Sequence, residues 1–154
     1  MNLDFVRNDF RFTARVSAII YNADRTKILL FKASEKSRFY MLPGGRVKVY
    51  EDSKTAISRE VMEELGYDLK FKLCSVQENF IKNNYKNIMQ YCFCYKAIYD
   101  QNGCNERFKC LDNEKQYFYW VDINSIDEYK IVPKSSYNLI RNNADFVEHI
   151  IEKE

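Results

Sequence analysis

The chain has 154 residues, of which 46% are hydrophobic and 16% aromatic, and its formal net charge is +2 from 24 basic and 22 acidic side chains. This length and composition predict a single domain over residues 1–154 and exclude an intrinsically disordered chain. The near balance of charge argues against extended nucleic-acid binding and against a polybasic membrane contact.

The cysteines and the N-terminus bear on the cellular compartment. No C-x-x-C pair occurs, and the odd number of cysteines argues against a disulfide framework or a zinc knuckle: Cys74, Cys92, Cys94, Cys104 and Cys110. Residues 1–11 contain no apolar signal core, and no stretch approaches the roughly 18 apolar residues of a membrane helix. We therefore expect a cytoplasmic protein with no membrane contact.

The first predicted elements form a hairpin. Residues 12–21 alternate between polar and apolar side chains and then run apolar, which is typical of a strand that enters a core. Residues 22–25 contain Asn and Asp, which stabilise turns, and residues 27–32 form the predicted returning strand. A polar loop over residues 33–38 leads towards Pro43-Gly44-Gly45.

The clearest helical pattern spans residues 52–65. Asp52 or Ser53 can cap the first turn, because both side chains accept bonds from free backbone N–H groups. An apolar residue recurs every four positions and gives one stripe for the core: Ile57, Val61 and Leu65. Gly66 follows directly and suits the left-handed conformation that ends helices.

The remaining chain predicts more strands and a second helix. The strands are predicted over residues 67–74, 88–99 and 116–121. Pro133 suits a first helical turn and precedes a helix predicted over residues 135–141, whereas residues 146–151 are compatible with a helix or a strand. Several strands, interrupted by one strong helix and closed by a second, predict an α+β fold with a mixed sheet covered by helices.

Three carboxylates on the first helix oppose its stability. Glu60, Glu63 and Glu64 share one face, and two of them lie in the last turn, where the helix dipole is negative. Like charges at this spacing cost about 0.2–0.5 kcal/mol per pair, and anions at a helix C-terminus cost about 0.3–1 kcal/mol. A divalent cation turns this repulsion into ligation, whereas an isolated acidic helix surface is usually just solvated.

The spacing around these glutamates is similar to the Nudix box of the MutT-like hydrolases. That pattern runs Gly, five residues, Glu, seven residues, then Arg-Glu-apolar-any-Glu-Glu-any-Gly-apolar. Residues 45–67 match all its fixed positions and both apolar ones: Gly45, Glu51, Arg59, Glu60, Val61, Glu63, Glu64, Gly66 and Tyr67. The resemblance includes Met41-Leu42-Pro43 before the box and is weaker outside residues 41–67, where Ile28-Leu29-Leu30 resembles the family's approach to its box. Trp120-Val121-Asp122, with Pro133 downstream, resembles the family's C-terminal third.

The resemblance implies a metal-dependent hydrolase with the Nudix-type α/β/α sandwich around a mixed central sheet. Glu60, Glu63 and Glu64 would ligate Mg²⁺ or Mn²⁺, helped by a backbone carbonyl near Gly44 or Gly45. Hard cations such as Mg²⁺ and Mn²⁺ bind oxygen ligands of this kind.

The resemblance also implies roles around the attacking water. Glu60 is the first candidate for general base, although Glu63 or Glu64 would lie near the same water. Arg59 would pair with Glu51 and fix the loop against the helix, because a planar guanidinium can hold a carboxylate by two hydrogen bonds. The alternative is an exposed ion pair worth about 0–1 kcal/mol.

Several residues depart from the family's pattern or extend it. Lys48 stands where many members have an acidic residue and could contact substrate phosphate instead, and Tyr50 stands where many have glycine. Some members place a base on a loop in the C-terminal half, a role that Gln90 cannot fill. Glu78 and Glu114, on or near predicted loops, are the candidates for that role or for substrate contact.

Three activities are compatible with the sequence. The first is hydrolysis of a diphosphate linkage in a nucleotide, dinucleoside polyphosphate or nucleotide sugar; Tyr85, 18 residues past the box, would contact such a substrate. The second is nucleotide sensing without catalysis, which the full set of box carboxylates disfavours. The third is removal of pyrophosphate from RNA 5′ ends. We expect a small nucleotide-like substrate, and a homodimer is compatible with the sequence.

Overall fold

The computed structural model describes residues 1–84, 86–101, 103–104 and 107–154. Tyr85, the expected substrate contact, lies outside the described residues. The elements in chain order are β1 Asp4–Arg7, β2 Phe10–Asn22, β3 Lys27–Lys32, β4 Gly44–Arg46, α1 Ser53–Leu65, β5 Lys72–Lys82, β6 Asn87–Tyr99, β7 Phe108–Lys109, β8 Tyr117–Asp122, a 3-10 helix Ile123–Glu128, α2 Ser135–Arg141 and β9 Glu148–Lys153. Within the described ranges, no helix is long and apolar enough to cross a membrane.

One mixed sheet joins the strands of the described residues. Its order is β7-β8-β3-β2-β6-β5-β9, and β1 and β4 also pair with β2. β2 runs parallel to β6 and β5 runs parallel to β9, while the other pairs are antiparallel. Because β2 pairs with β6 along its whole length and with β1, β4 and β3 along its other edge, it is the central strand. The predicted mixed sheet is confirmed.

Two apolar cores lie on opposite faces of this sheet. Ile57 of α1 belongs to the same core as Val16 of β2. Leu139 of α2 and Ile126 of the 3-10 helix belong to the other core, together with Ile19 of β2. Even and odd residues of β2 therefore face different layers, as the alternation of side chains along a strand requires. The predicted α/β/α sandwich is confirmed.

Two predicted boundaries differ from the structure. The strand predicted over residues 67–74 is wrong in its first half, because 67–71 is irregular and β5 begins only at Lys72. Phe71 is buried in the core beneath α1, so the apolar side chains of this stretch serve a connection rather than a strand. The segment after Asn143 forms β9, which adds to β5 at the edge of the sheet.

Candidate functional site

α1 carries the three glutamates of interest, and its own sequence explains where it begins and ends. The Asp52 side chain accepts a hydrogen bond from Thr55 N at 2.8 Å, which caps the first turn. Gly66 has φ +70°, and its N–H donates to Met62 O at 3.0 Å, which ends the helix. Both ends of α1 are therefore defined by its own sequence, and Glu60, Glu63 and Glu64 lie in its last two turns.

Arg59 joins the loop before α1 to the helix. Its Nε donates to Glu51 Oε1 at 2.7 Å and its Nη2 donates to Glu51 Oε2 at 3.0 Å, so the pair implied by the resemblance is present. Nη2 also donates to Arg46 O at 3.0 Å, and Lys48 N donates to Glu51 Oε2 at 2.8 Å. The hydrogen bond from Arg59 lowers the pKa of Glu51, so this carboxylate stays charged.

The same guanidinium reaches two further carboxylates. Arg59 Nη1 donates to Glu60 Oε1 at 2.9 Å and to Glu63 Oε2 at 3.4 Å. The side chains of Arg59 and Glu51 are 20% and 11% exposed, so this is not a solvent-screened surface pair. A single cation thus holds three carboxylates and neutralises only part of their charge.

Gly44 and Gly45, which precede this loop, let neighbouring atoms come closer than a side chain would permit. A Cβ on Gly45 would lie 2.2 Å from the carboxyl carbon of Glu60, so the missing side chain makes room for that carboxylate. A Cβ on Gly44 would lie 2.1 Å from Val16 O, a backbone atom of β2. Gly45 therefore serves the site, whereas Gly44 serves the pairing of β4 with β2.

The charge of Glu64 is poorly compensated by its surroundings. Burial raises the pKa of Glu64 to about 8, and the negative charges of Glu60, Asp112 and Glu63 add to this rise. Only the positive charge of Arg15 opposes it among the causes of this shift. A half-buried carboxyl among other carboxylates is a position at which positive charge is missing.

This raised pKa predicts a pH-dependent stability of the metal-free protein. Glu64 titrates near its ordinary value of 4.5 when unfolded and at about 8 when folded, so between these values the folded chain binds more protons. The stabilisation is complete below pH 4.5 and is lost progressively as the pH rises from 4.5 to about 8, by up to about 5 kcal/mol. Glu60, Glu63, Asp112 and Arg15 are the charged groups that set this pKa.

Urea unfolding in EDTA at several pH values between 5 and 8.5 measures the effect. Glu64→Gln removes the titrating group and keeps its shape, so its free energy of unfolding should fall less with pH than that of the wild type. Equal pH slopes for the two proteins would contradict the raised pKa.

The donor set fits a hard divalent cation in its chemistry. Three carboxylates lie on one helical face, and the raised pKa of the half-buried Glu64, caused by burial and by its acidic neighbours, agrees with a shortage of positive charge there. Among the described residues, no three acidic, histidine or cysteine side chains are gathered closely enough to hold an ion, and Arg59 holds both Glu60 and Glu63. A cation would compete with Arg59 for these two side chains.

Among the described residues, none of the other predicted contacts makes a hydrogen bond or ion pair with Glu60, Glu63 or Glu64. The expectation that Glu78 lies on or near a loop is wrong: it lies within β5, where its carboxylate accepts a hydrogen bond of 2.6 Å from His149 Nε2. Glu114 is exposed in the loop before β8. Lys48 is exposed close to Glu51, and Tyr50 is fully exposed with φ +63°, a conformation that glycine adopts more easily.

Asp112 is an acidic neighbour that sequence reasoning missed. Its loop lies against the end of α1, because Leu111 N donates to Glu64 O at 2.9 Å. Cys110 Sγ donates to Asp112 Oδ1 at 2.9 Å, which orients the carboxylate. No fixed spacing links Asp112 to the box, and the only signal was the acidic character of the loop that also holds Glu114.

A known protein family matches the part of the chain that contains these carboxylates. The sequence matches the NUDIX domain family over residues 11–142, which is most of the chain. No curated protein sequence is significantly similar to it. The family match includes the box, β4 and α1, and all the carboxylates described above.

Solved structures with the same fold include several hydrolases. A MutT protein from Bacillus halodurans has a TM-score of 0.69 at 16% identity, covering 89% of this chain and 86% of that one. A MutT NUDIX hydrolase from Burkholderia pseudomallei has a TM-score of 0.64 at 19% identity, with 86% and 98% covered. The E. coli dihydroneopterin triphosphate pyrophosphohydrolase has a TM-score of 0.61 at 18% identity, with 83% and 92% covered. At these identities the likeness shows the fold alone.

Proposed function

We propose that this chain, which belongs to the Nudix family of pyrophosphohydrolases, hydrolyses a diphosphate linkage in a nucleoside diphosphate that is joined to another group, with Mg²⁺ or Mn²⁺ as cofactor. The observation that carries the proposal is the single guanidinium of Arg59 bonded to Glu51, Glu60 and Glu63, beside a half-buried Glu64 whose pKa is raised. This arrangement concentrates negative charge at the end of α1, which suits a divalent cation that also binds the diphosphate oxygens of the substrate.

The residues that would hold the ion are Glu60, Glu63 and Glu64, with a carbonyl of Gly44 or Gly45. When bound, the ion supplies an acidified water and neutralises charge at phosphorus. Family members act on diphosphate linkages with divalent ions, and the choice of Mg²⁺ or Mn²⁺ follows from the all-oxygen donor set.

Side chains of this protein would position the attacking water and accept its proton. Arg59 holds Oε1 of Glu60, which leaves Oε2 of Glu60 free to accept the proton of the attacking water. Glu51 accepts two hydrogen bonds from Arg59 and so orients Glu60 indirectly, through Arg59. Glu60 is therefore the proposed general base, and Arg59 and Glu51 are positioning residues.

A substrate panel tests the proposal. It contains nucleoside triphosphates, dinucleoside polyphosphates, nucleotide sugars, capped RNA and, because one structural neighbour is named for it, dihydroneopterin triphosphate. With Mg²⁺ present we expect kcat/KM of about 10⁴ M⁻¹s⁻¹ or more for at least one class other than RNA, abolished by EDTA. Binding of these compounds without turnover in Mg²⁺ or Mn²⁺ would overturn the proposal in favour of a sensing role.

The adjacent glycines provide a matched pair of variants for the site. Gly45→Ala is expected to displace the Glu60 carboxylate and lower kcat/KM by about 10-fold or more, with a stability loss of about 1 kcal/mol, because a flexible side chain can move aside. Gly44→Ala meets backbone and is expected to cost about 3 kcal/mol or more. Urea unfolding and initial rates separate the two effects, and an equal stability loss in both variants would contradict this assignment.

A further inference from the structure

A cavity of about 660 Å³ lies at one end of the sheet. Its lining includes the ends of β2 and β6, the beginning of β5 and residues 68–70 and 142–147. Tyr21, which lines it, is five residues beyond Val16, the residue of β2 that pairs with Gly45, and this separates them by about 16 Å along the strand. The cavity is therefore distinct from the proposed hydrolytic site, and its volume suits a small molecule.

A β-bulge turns Cys74, one of the lining residues, towards Cys94. Leu73 pairs with Tyr95 and Ser75 pairs with Cys94, so Cys74 is an extra residue between two successive pairs of β5 and β6. Cys74 and Cys94 belong to the core beneath α2, whereas Leu73 packs against the core beneath α1. Side chains that face each other across two strands are about 4.5–5.5 Å apart at Cβ, so a small shift allows a disulfide.

The two thiols differ in acidity and in access. The hydrogen bond donated by the Cys94 thiol lowers the pKa of Cys74, burial opposes this shift, and the positive charge of Lys96 lowers the pKa further. The same hydrogen bond and complete burial raise the pKa of Cys94. Cys74 is 8% exposed and lines the cavity, whereas Cys94 is fully buried behind it. Cys74 is thus placed to react first and Cys94 second.

Two cations near Cys74 lack anions. Arg25 Cζ lies 5.3 Å and Lys96 Nζ lies 5.9 Å from the centre of the Tyr21 ring, so both approach one aromatic side chain. Lys96 Nζ donates to Asn142 O, and no carboxylate forms an ion pair with Arg25 or Lys96 in the described part of the chain. Burial lowers the pKa of Lys96, and so does the charge of Arg25.

The rest of the lining leaves an excess of positive charge. Lys72 forms an ion pair with Asp145, so these two charges cancel. The other charged lining residues are three cations and two exposed carboxylates: Arg25, Lys70, Lys96, Asp68 and Asp100. The cavity therefore suits a ligand with negative charge.

We propose that Cys74 and Cys94 form a thiol–disulfide exchange site whose reagent is a low-molecular-weight disulfide that carries carboxylates. The Cys74 thiolate attacks one sulfur of the reagent, which breaks the S–S bond of the reagent and releases one thiolate. Sγ of Cys94 then attacks Sγ of Cys74, the mixed disulfide breaks, and the proton of Cys94 leaves with the second thiol. The two cysteines are oxidised to one disulfide, and the reagent is reduced to two thiols.

The test compares three disulfides that differ in charge: oxidised glutathione, which is anionic, hydroxyethyl disulfide, which is neutral, and cystamine, which is cationic. Peptide mass spectrometry locates the products, and each rate is divided by the rate of the same reagent with a free cysteine peptide, which removes differences between leaving groups. The proteins are the wild type, Cys94→Ser, Lys96→Gln and, as a control, Cys104→Ser. Cys104 is 8% exposed, like Cys74, and does not line the cavity.

With oxidised glutathione we expect a Cys74–Cys94 disulfide in the wild type and in Cys104→Ser. In Cys94→Ser we expect a mixed disulfide on Cys74, formed about 10-fold or more faster than on Cys104. The normalised wild-type rate should be about 10-fold or more higher for oxidised glutathione than for cystamine, with hydroxyethyl disulfide between them, and Lys96→Gln should reduce this preference.

Absence of reaction in the wild type, first reaction at another cysteine, or equal normalised rates for the three reagents overturns the inference. The peptide map of the wild type locates the disulfide by itself, so this decision does not depend on the folding of a variant. The reactions involve no diphosphate and no metal ion, so the inference and the proposed activity fail separately.

Discussion

Replacing Glu64 with glutamine is expected to lower kcat/KM by about 1,000-fold or more while the protein stays folded. The variant keeps the shape of a partly buried side chain and removes the charge that a cation would bind. Because ionisation of Glu64 opposes folding at neutral pH, the metal-free variant should unfold at a urea concentration no lower than the wild type. Initial rates on the best substrate of the panel and urea unfolding measure the two effects.

The matched control is Glu128→Gln, which removes one exposed carboxylate from the 3-10 helix. It should leave kcat/KM and stability unchanged within the scatter expected for surface substitutions. Wild-type turnover in Glu64→Gln would remove Glu64 from the site. Loss of turnover together with unfolding would instead assign it a structural role.

Replacing Arg59 with methionine should reduce both stability and activity. Methionine fills the volume but leaves Glu51, whose side chain is 11% exposed, without its partner, and leaving such a half-buried carboxylate unpaired costs about 1–3 kcal/mol. Glu60 and Glu63 lose their common hydrogen-bond donor, so we expect kcat/KM to fall by about 100-fold. Urea unfolding and initial rates give both values.

A double variant distinguishes positioning from simple folding. Glu51→Gln combined with Arg59→Met leaves neither charge alone, so it should recover stability relative to Arg59→Met. Activity should not recover, because Glu60 and Glu63 still lack their donor. If Arg59→Met is as stable as the wild type, or if the double variant regains activity, Arg59 does not hold the site as described.

The parts of the structure that sequence reasoning found are those with local causes. Asp52, the apolar stripe and Gly66 define α1 through contacts within a few residues, so its bounds were predictable. The pair of Arg59 with Glu51 lies eight residues apart and was accessible through the resemblance to a known box. A spacing pattern thus sufficed for the carboxylates on the helix.

The remaining features depend on contacts between distant segments. Asp112 reaches Glu64 only because the loop before β8 packs on the end of α1. Gln77 and Arg15 both pair with Cys92, because β6 lies between β2 and β5, and no short window of the sequence contains all three strands. Alternation along β5 alone suggests a solvated face for Gln77, whereas the structure buries it. The periodicity of the sequence does not predict which strands pair or which segments pack against each other.

A crystal grown with Mn²⁺ and a slowly hydrolysed nucleoside diphosphate derivative tests the proposed metal site most directly. Diffraction is measured at a wavelength where manganese scatters anomalously. We expect an anomalous peak bound by Glu64 and by one or both of Glu60 and Glu63, with diphosphate oxygens in the same coordination shell. An anomalous map without a peak at these glutamates, in a crystal that contains the nucleotide, would contradict the claim that they form a metal-dependent hydrolytic site.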